Sequence, residues 1–340
     1  SSVAALLMKQ AGYECIGATM RLYDNPTEVS TCCSLEDVED ARAVAAKLGI
    51  RHYAFNFTED FDRQVMRKFA DSYERGLTPN PCIDCNRYLK FDRLLRRALE
   101  LGCDWVVSGH YARIRQEKGR YLLYKAVDSA KDQTYFLACL NQLQLSHIQF
   151  PLGELTKTQV REIAAENGFV NARKRDSQDI CFVPGGDYGE FLQRYTGKAY
   201  PQGDFLDLQG NVVGRHRGAA CYTKGQRKHL GLAMGAPVYV CGKDMARNTV
   251  TVGPNEALFS PALRANDWCW YPFETLEKPL KVTVKTRHSQ FEQPGTVYPE
   301  ENGFARVEFD DPQRAVTPGQ AVVLYDGDMV VGGGTITEAL

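Results

Sequence analysis

The chain has 340 residues, 44% of them hydrophobic and 24% charged, and a formal net charge of −1. This composition excludes a disordered or collagen-like chain, and the length suits two or three domains. No apolar run reaches membrane-span length and no secretory signal opens the chain, so a cytoplasmic setting is expected; the near-neutral charge gives nucleic-acid binding no bulk support.

In chain order, residues 1–11 read as a helix closed by Gly12. Ser1 and Ser2 stand at its start, where outward N–H groups suit an anion. Residues 13–20 read as a buried strand ending at Met20. Cys32 and Cys33 precede the capping-box spacing of Ser34 and Asp37, and an amphipathic helix follows over 35–48. A strand over 51–57 leads into a long helix over 58–75, stopped by Gly76 and Pro79. A further helix is expected over 85–101, with Leu89, Leu94, Leu95, Ala98 and Leu101 on its apolar face. A short strand over 104–107 runs into Ser108-Gly109-His110. A hairpin is expected over 113–125, turning at Glu117-Lys118-Gly119, and a helix over 158–166. Strands alternating with helices imply a parallel sheet covered on both faces, with ligands beyond the carboxyl ends of its strands. Gly109 and the stretch after Met20 lie at such ends. From about residue 196, short strands with glycine turns take over. The expected architecture is an α/β domain over 1–195, a small β-rich domain over 196–260 and a β-barrel over 261–340.

Eleven cysteines in a long chain without a secretory signal argue for thiols in a reducing compartment rather than a disulfide framework. Cys15, Cys103, Cys139, Cys221 and Cys241 sit in apolar stretches and read as small core residues. Cys82 and Cys85 differ, forming a C-x-x-C pair in Pro79-Asn80-Pro81-Cys82-Ile83-Asp84-Cys85-Asn86. The prolines hold the approach extended, so Cys85 is expected on the first turn of a helix. There the unpaired N–H groups and Arg87 favour thiolate. Cys181 follows Asp176, Ser177 and Asp179, downstream of Arg173-Lys174-Arg175. A partly exposed thiol beside cations can carry a persulfide; packed between Ile180 and Phe182, it can equally be a strand cysteine. Further basic clusters are Arg215-His216-Arg217, Lys224 with Arg227-Lys228-His229, and Lys285 with Arg287-His288. Each alone reads as a solvated loop; together they suggest a phosphate-tracking face.

Several segments carry a family resemblance. Ser1-Ser2-Val3-Ala4-Ala5-Leu6-Leu7 resembles the tail of the S-G-G-x-D-S-S loop of ATP pyrophosphatases. Pro79 to Phe91, Ser108 to Tyr111, Lys131 to Phe136, Asp176 to Phe182, Thr223 to Arg227 and Val316 to Gln320 resemble, in order, the tRNA-specific 2-thiouridylase family (MnmA/TrmU). The resemblance implies an adenine-nucleotide alpha-hydrolase-like catalytic domain. It further implies ATP, with Mg, adenylating the C2 oxygen of the wobble uridine in tRNAs for Lys, Glu and Gln. Sulfur then replaces that oxygen, with AMP and pyrophosphate released. Cys85 matches the family's nucleophile and Cys181 its persulfide carrier. Ser1, Ser2, Met20 and Gly109 match ATP positions. Asn80, Pro81 and Cys82 match the segment at the target base; Lys131, Asp132 and Gln133 match one tRNA-contacting loop and Arg287 with His288 another. A cysteine desulfurase or sulfur carrier is the implied donor.

Two departures stand out. The S-G-G-x-D part of the loop and its preceding strand are absent from the sequence, which is expected to start inside a longer protein. Many members of the family have Asp where this chain has Cys82, so Cys82, Cys85 and Cys181 could hold a [4Fe–4S] cluster with one iron open to hydrosulfide. Persulfide and cluster routes use the same thiols; a zinc site would need a fourth ligand such as His110. Other functions to separate from sulfur transfer are adenylation of a small metabolite and non-catalytic RNA or metal binding.

Overall fold

The computed structural model describes residues 1–23, 35–170 and 180–340. The Cys32-Cys33 pair, the capping Ser34, and the basic and acidic run of 173–179 lie outside the described residues. Helix α1 (Ser2–Gln10) buries Val3, Ala4, Leu6 and Met8. Strands β1 (Ile16–Arg21) and β2 (Arg51–Asn56) pair in parallel, and helix α2 (Leu35–Leu48) lies between them in the chain. Thr58–Phe61, Asp62–Met66 and Arg67–Glu74 run on as one helix, α3, whose middle piece is a π turn. Pro81–Asp84, Cys85–Arg93 and Leu94–Glu100 likewise form α4, again with a π-helical middle. Strand β3 (Val106–Val107) pairs in parallel with β6 (Ile148–Gln149). The parallel part of the domain is therefore two strand pairs among the described residues.

Strands β4 (Ala112–Glu117) and β5 (Arg120–Lys125) form the expected hairpin. Lys118 and Gly119 both have positive φ, 49° and 79°, as a two-residue turn matched to strand twist requires. The hairpin's outer partner is not local: β5 meets strand β16 (Met329–Ala339) near the end of the chain. The small domain comprises β7 (Gly203–Leu206), β8 (Val212–His216), β9 (Tyr239–Asp244) and β10 (Thr249–Gly253), in the order β8-β7-β10-β9. It closes on Phe205, Tyr222, Val240, Val250 and Val252.

The last domain is a closed six-stranded barrel. Its strands are β11 (Phe259–Trp270), β12 (Leu280–Lys285), β13 (Gln293–Pro299), β14 (Ala305–Arg314), β15 (Ala321–Asp326) and β16. Their order is β11-β14-β13-β12-β15-β16, and β11 pairs with β16 to close the ring. Alternate residues such as Leu263, Val284, Val297, Val307, Val322 and Leu324 fill the interior. Barrel and α/β domain share a core: Phe91 and Leu95 of α4 lie in one cluster with Tyr135, Tyr271, Val323, Tyr325 and Val330. Buried phenols need partners. Tyr135 donates to the Ala321 carbonyl at 3.0 Å and Tyr271 to the Leu137 carbonyl at 3.3 Å.

The segment Val316-Thr317-Pro318-Gly319-Gln320 docks on the loop before α4. The Thr78 amide donates to the Pro318 carbonyl at 2.9 Å, and the Gln320 amide donates to the Thr78 carbonyl at 2.9 Å. Gly319 has φ 91°, and a Cβ there would stand 3.0 Å from the Thr78 nitrogen. Gly303 has φ 76° with open space around it. Gly319→Ala should therefore cost more stability than Gly303→Ala. The backbone strain of about 1–3 kcal/mol is common to both, and the Thr78 contact adds to it only at 319. Urea unfolding midpoints of the two variants test this; equal shifts would show that the docking contact constrains nothing.

Candidate active site

The cysteine helix begins earlier than expected. Asn80 is its N-cap, with its side-chain oxygen accepting from the Cys82 amide at 3.2 Å, and Pro81 is the first helical residue. Asn at the cap and Pro just inside are strong start signals, and the Asn80-Pro81 pair carried them. Cys82 therefore occupies the first turn and is exposed; Cys85 lies in the second turn, where the π-helical stretch opens, and is only 9% exposed. The expected first-turn environment for Cys85 is corrected accordingly. Single π turns inside α-helices recur at functional sites.

Cys85 and Cys181 meet the same apolar cluster, built on Leu22, Phe61, Phe69, Leu89 and Phe182, with Met20 and Tyr23 at its edge. The Tyr23 hydroxyl donates to the Cys181 carbonyl, tying the Cys181 loop to the stretch just beyond the carboxyl end of β1. Phe182 is held edge-on by Phe61 and Phe69, at centroid distances of 5.7 and 5.3 Å. Two expected site thiols and Met20 are thus brought together. Cys82 is not part of this cluster, and among the described residues no three His, Cys, Asp or Glu side chains converge to hold a metal ion. His110 is committed elsewhere, with its Nδ1 2.6 Å from the Ser108 hydroxyl and its ring against Phe91 and Phe150. Of the cysteines expected in the core, Cys221 is buried; Cys15, Cys103, Cys139 and Cys241 are half-buried.

Gly109 brings the loop after β3 directly onto the start of α1. A Cβ at Gly109 would lie 2.5 Å from the Ser1 backbone nitrogen, so only glycine permits the approach. Ser1 caps α1 without a side-chain hydrogen bond of its own to the helix.

The two expected tRNA loops also meet. His288 hydrogen-bonds the Asp132 backbone and lies tilted against Phe136, with ring centroids 4.4 Å apart. The Asp132 carboxylate accepts from the Ala126 amide and from Thr134, and burial pushes its pKa up. The Gln133 side chain accepts from the Tyr111 amide at 2.9 Å. Asp132 and Gln133 therefore shape the loop from within. Arg287 is likewise turned inward, donating to the Lys224 and Ala315 carbonyls and to the Thr317 hydroxyl at 2.9–3.2 Å. It ties the small domain to the barrel. Asn86, next to Cys85, donates to the Phe136 carbonyl at 3.0 Å, so the cysteine helix and the His288 region are joined.

Sequence reading missed a line of alternating charge across α4. Lys68 of α3 donates to Asp84 at 2.5 Å. Arg87, one turn on, grips Asp267 of β11 with both terminal nitrogens, one of them at 2.9 Å. Burial pushes the Asp84 carboxyl up, and the Lys68 and Arg87 charges oppose it. Asp267 has φ 55°, a left-handed position that Asp tolerates better than most residues. The charges of Arg87 and Asp267 are 180 positions apart, and no local pattern links them.

Three family models match in order: tRNA methyl transferase HUP domain over residues 1–185, tRNA methyl transferase PRC-barrel domain over 189–254, and aminomethyltransferase beta-barrel domain over 260–336. A protein of Acetivibrio thermocellus called tRNA-specific 2-thiouridylase MnmA is 49% identical, covering 99% of this chain and 96% of its own length. Proteins of the same name from Symbiobacterium thermophilum and Clostridioides difficile are 50% and 47% identical. Each covers all of this chain, with 90% and 96% of its own length aligned.

Removing Lys68 leaves Asp84 buried without its nearest cation. Lys68→Met should destabilise by about 1–3 kcal/mol, less than a fully buried pair because the Lys68 side chain is 45% exposed. The double variant Lys68→Met/Asp84→Leu should recover most of that loss. Thermal unfolding of the three proteins checks both, and an additive double variant would disprove the coupling.

Proposed function

This chain belongs to the tRNA-specific 2-thiouridylase family, and we propose that it is an ATP-dependent tRNA sulfurtransferase that exchanges the C2 oxygen of the wobble uridine for sulfur. The observation that carries the reading is the shared cluster of Cys85 and Cys181 beyond the carboxyl end of β1. Carboxyl ends of parallel strands are where α/β sheets bind nucleotides.

ATP, with Mg as counter-ion, is assigned to the start of α1 (Ser1, Ser2), Met20 and Gly109. The tight Gly109–Ser1 approach supports this, because it presents backbone rather than side chains to a phosphate group. ATP supplies the activation: a uridine oxygen leaves poorly, but as part of AMP it leaves readily. Cys181 carries the transferable sulfur as a persulfide, whose outer sulfur attacks C2 as AMP leaves. Cys85 is the nucleophile that then attacks the inner Cys181 sulfur, breaking the S–S bond to free the 2-thiouridine and leaving a Cys85–Cys181 disulfide for an external thiol reductant. The base must leave the anticodon stack to arrive there, at a cost of a few kcal/mol. Asn80, Pro81 and Cys82 are assigned to that base; of the three, Cys82 is exposed, Asn80 half-buried and Pro81 buried. Lys131 and His288 contact the RNA; Asp132, Gln133 and Arg287 act by holding their loops in shape.

The substrates proposed are the tRNAs for Lys, Glu and Gln, and the sulfur donor is a cysteine desulfurase or a sulfur carrier. No helix among the described residues is long and apolar enough to cross a membrane; the compartment proposed is the cytoplasm. The test is an assay of the full-length protein with ATP, a sulfur donor and unmodified tRNA. Cys85→Ser and Cys181→Ser should each lower 2-thiouridine formation by at least about 100-fold. Both variants should bind tRNA within about twofold of the parent, since neither thiol is assigned to a phosphate. Parental tRNA affinity should fall steeply with added salt. An active Cys181→Ser enzyme would remove the persulfide role, and a salt-independent affinity would remove the RNA reading.

A further inference from the structure

The loop between β12 and β13 faces outward in a way its basic residues do not explain. Arg287 is turned inward. Phe291, four residues on, is 88% exposed, the highest value for a large hydrophobic residue among the described residues. Its exposure is not the by-product of a slack loop, because both neighbours are anchored. The Gln290 side chain accepts from the Thr286 hydroxyl at 2.7 Å and donates to the Arg314 carbonyl at 3.2 Å. The Glu292 carboxylate accepts from the Thr283 hydroxyl at 2.6 Å and pairs with Lys125 at 2.6 Å. Between these two anchors a phenyl ring is held out into water, which is unfavourable for an apolar side chain unless a partner covers it.

The surroundings select the partner. His288, three residues earlier, is also exposed and lies on Phe136, so the loop offers two aromatic rings in four residues. Lys285 lies close enough to His288 and Asp132 to shift both electrostatically. The nearby acids are already engaged: Glu292 by Lys125, and Asp132 by Thr134 and the Ala126 amide. Exposed rings beside a cation, with the nearby acids engaged by other partners, are how proteins hold unpaired bases: the rings stack and the cation follows the backbone.

We propose that Phe291 is a base-stacking residue of the RNA interface, receiving an unpaired tRNA base on its ring next to His288. This rests on the tRNA reading of the preceding section and adds to it a residue that binds through stacking rather than charge.

The test is binding of unmodified tRNA to the full-length protein, with thiolation under single-turnover conditions measured alongside. Phe291→Ala should weaken tRNA binding by about tenfold or more, and Phe291→Trp should restore it. Phe291→Leu, apolar but without a ring, should resemble Phe291→Ala. The slope of log affinity against log salt should be unchanged in Phe291→Ala, whereas loss of a phosphate contact would reduce it. The rate at saturating tRNA should be unchanged. Parental affinity in Phe291→Ala, or rescue by Leu as complete as by Trp, would overturn the proposal. So would unchanged tRNA affinity with weakened binding of a cysteine desulfurase, which would make the ring a protein-docking residue. If the parent itself bound no tRNA, the broader RNA reading would fall as well, a result distinct from parental binding that Phe291→Ala leaves intact.

Discussion

The position of the cysteine helix is set by a core that two domains build together. Phe91 and Leu95 on the back of α4 pack with Tyr271, Val323, Tyr325 and Val330 of the barrel and with Tyr135. A helix of that length cannot bury its apolar face against its own strands alone; it needs a second layer, and the barrel supplies it. The arrangement leaves the barrel little freedom to move as a separate body. Shifting it would expose three tyrosines and break the hydrogen bonds of Tyr135 and Tyr271 to backbone carbonyls and of Tyr325 to the Thr134 hydroxyl. Any RNA bound by the barrel would thereby be held in a fixed relation to the thiols. The hairpin β4–β5 strengthens this, because it leaves the α/β domain and extends the barrel's sheet at Tyr124 and Met329.

Electrostatics refines what packing fixes coarsely. Hydrophobic contact between α4 and the barrel tolerates small slides, but a two-pronged Arg–carboxylate grip does not. Arg87 is two residues beyond Cys85 and binds Asp267, while Lys68 holds Asp84 from the other side. The charges alternate in sign along this line. Each therefore offsets part of the desolvation of its neighbour, which an isolated buried carboxylate would suffer in full. Their value lies less in net stability than in fixing the rotation of the first two turns of α4, and hence the directions of Cys82 and Cys85.

Much of the local structure was legible. The helix over 35–48 and the hairpin with its Lys118-Gly119 turn follow from periodicity and from glycine's tolerance of positive φ. The start of α4 is legible too, in Asn80-Pro81: Asn suits the cap and Pro the first helical position, so the prolines mark a helix start and not only an extended approach. Local patterns do not show long-range partners. Neither β5 meeting β16 nor Arg87 meeting Asp267 leaves a trace in spacing. The basic clusters misled in a physical way. Charge in a sequence shows that a cation exists, not which way it points, and Arg287 is used to bind carbonyls between two domains. Cys85 and Cys181 were expected to gather and do share a cluster; Cys82 was grouped with them by spacing, although the first turn turns it to solvent.

That separation of thiols bears on the chemistry. A persulfide and an activated uridine are both open to loss to water, so transfer between them benefits from a site that excludes it. Cys85 at 9% exposure, backed by Leu89 and the Phe61–Phe69–Phe182 group, has such surroundings on its protein side. Cys82 lies outside them. A base entering past Asn80 and Cys82 would cover the open side of Cys85 itself, so that substrate binding completes the dry pocket. The hydrogen bond from Tyr23 then matters, because it fixes the Cys181 backbone relative to β1 before the base arrives.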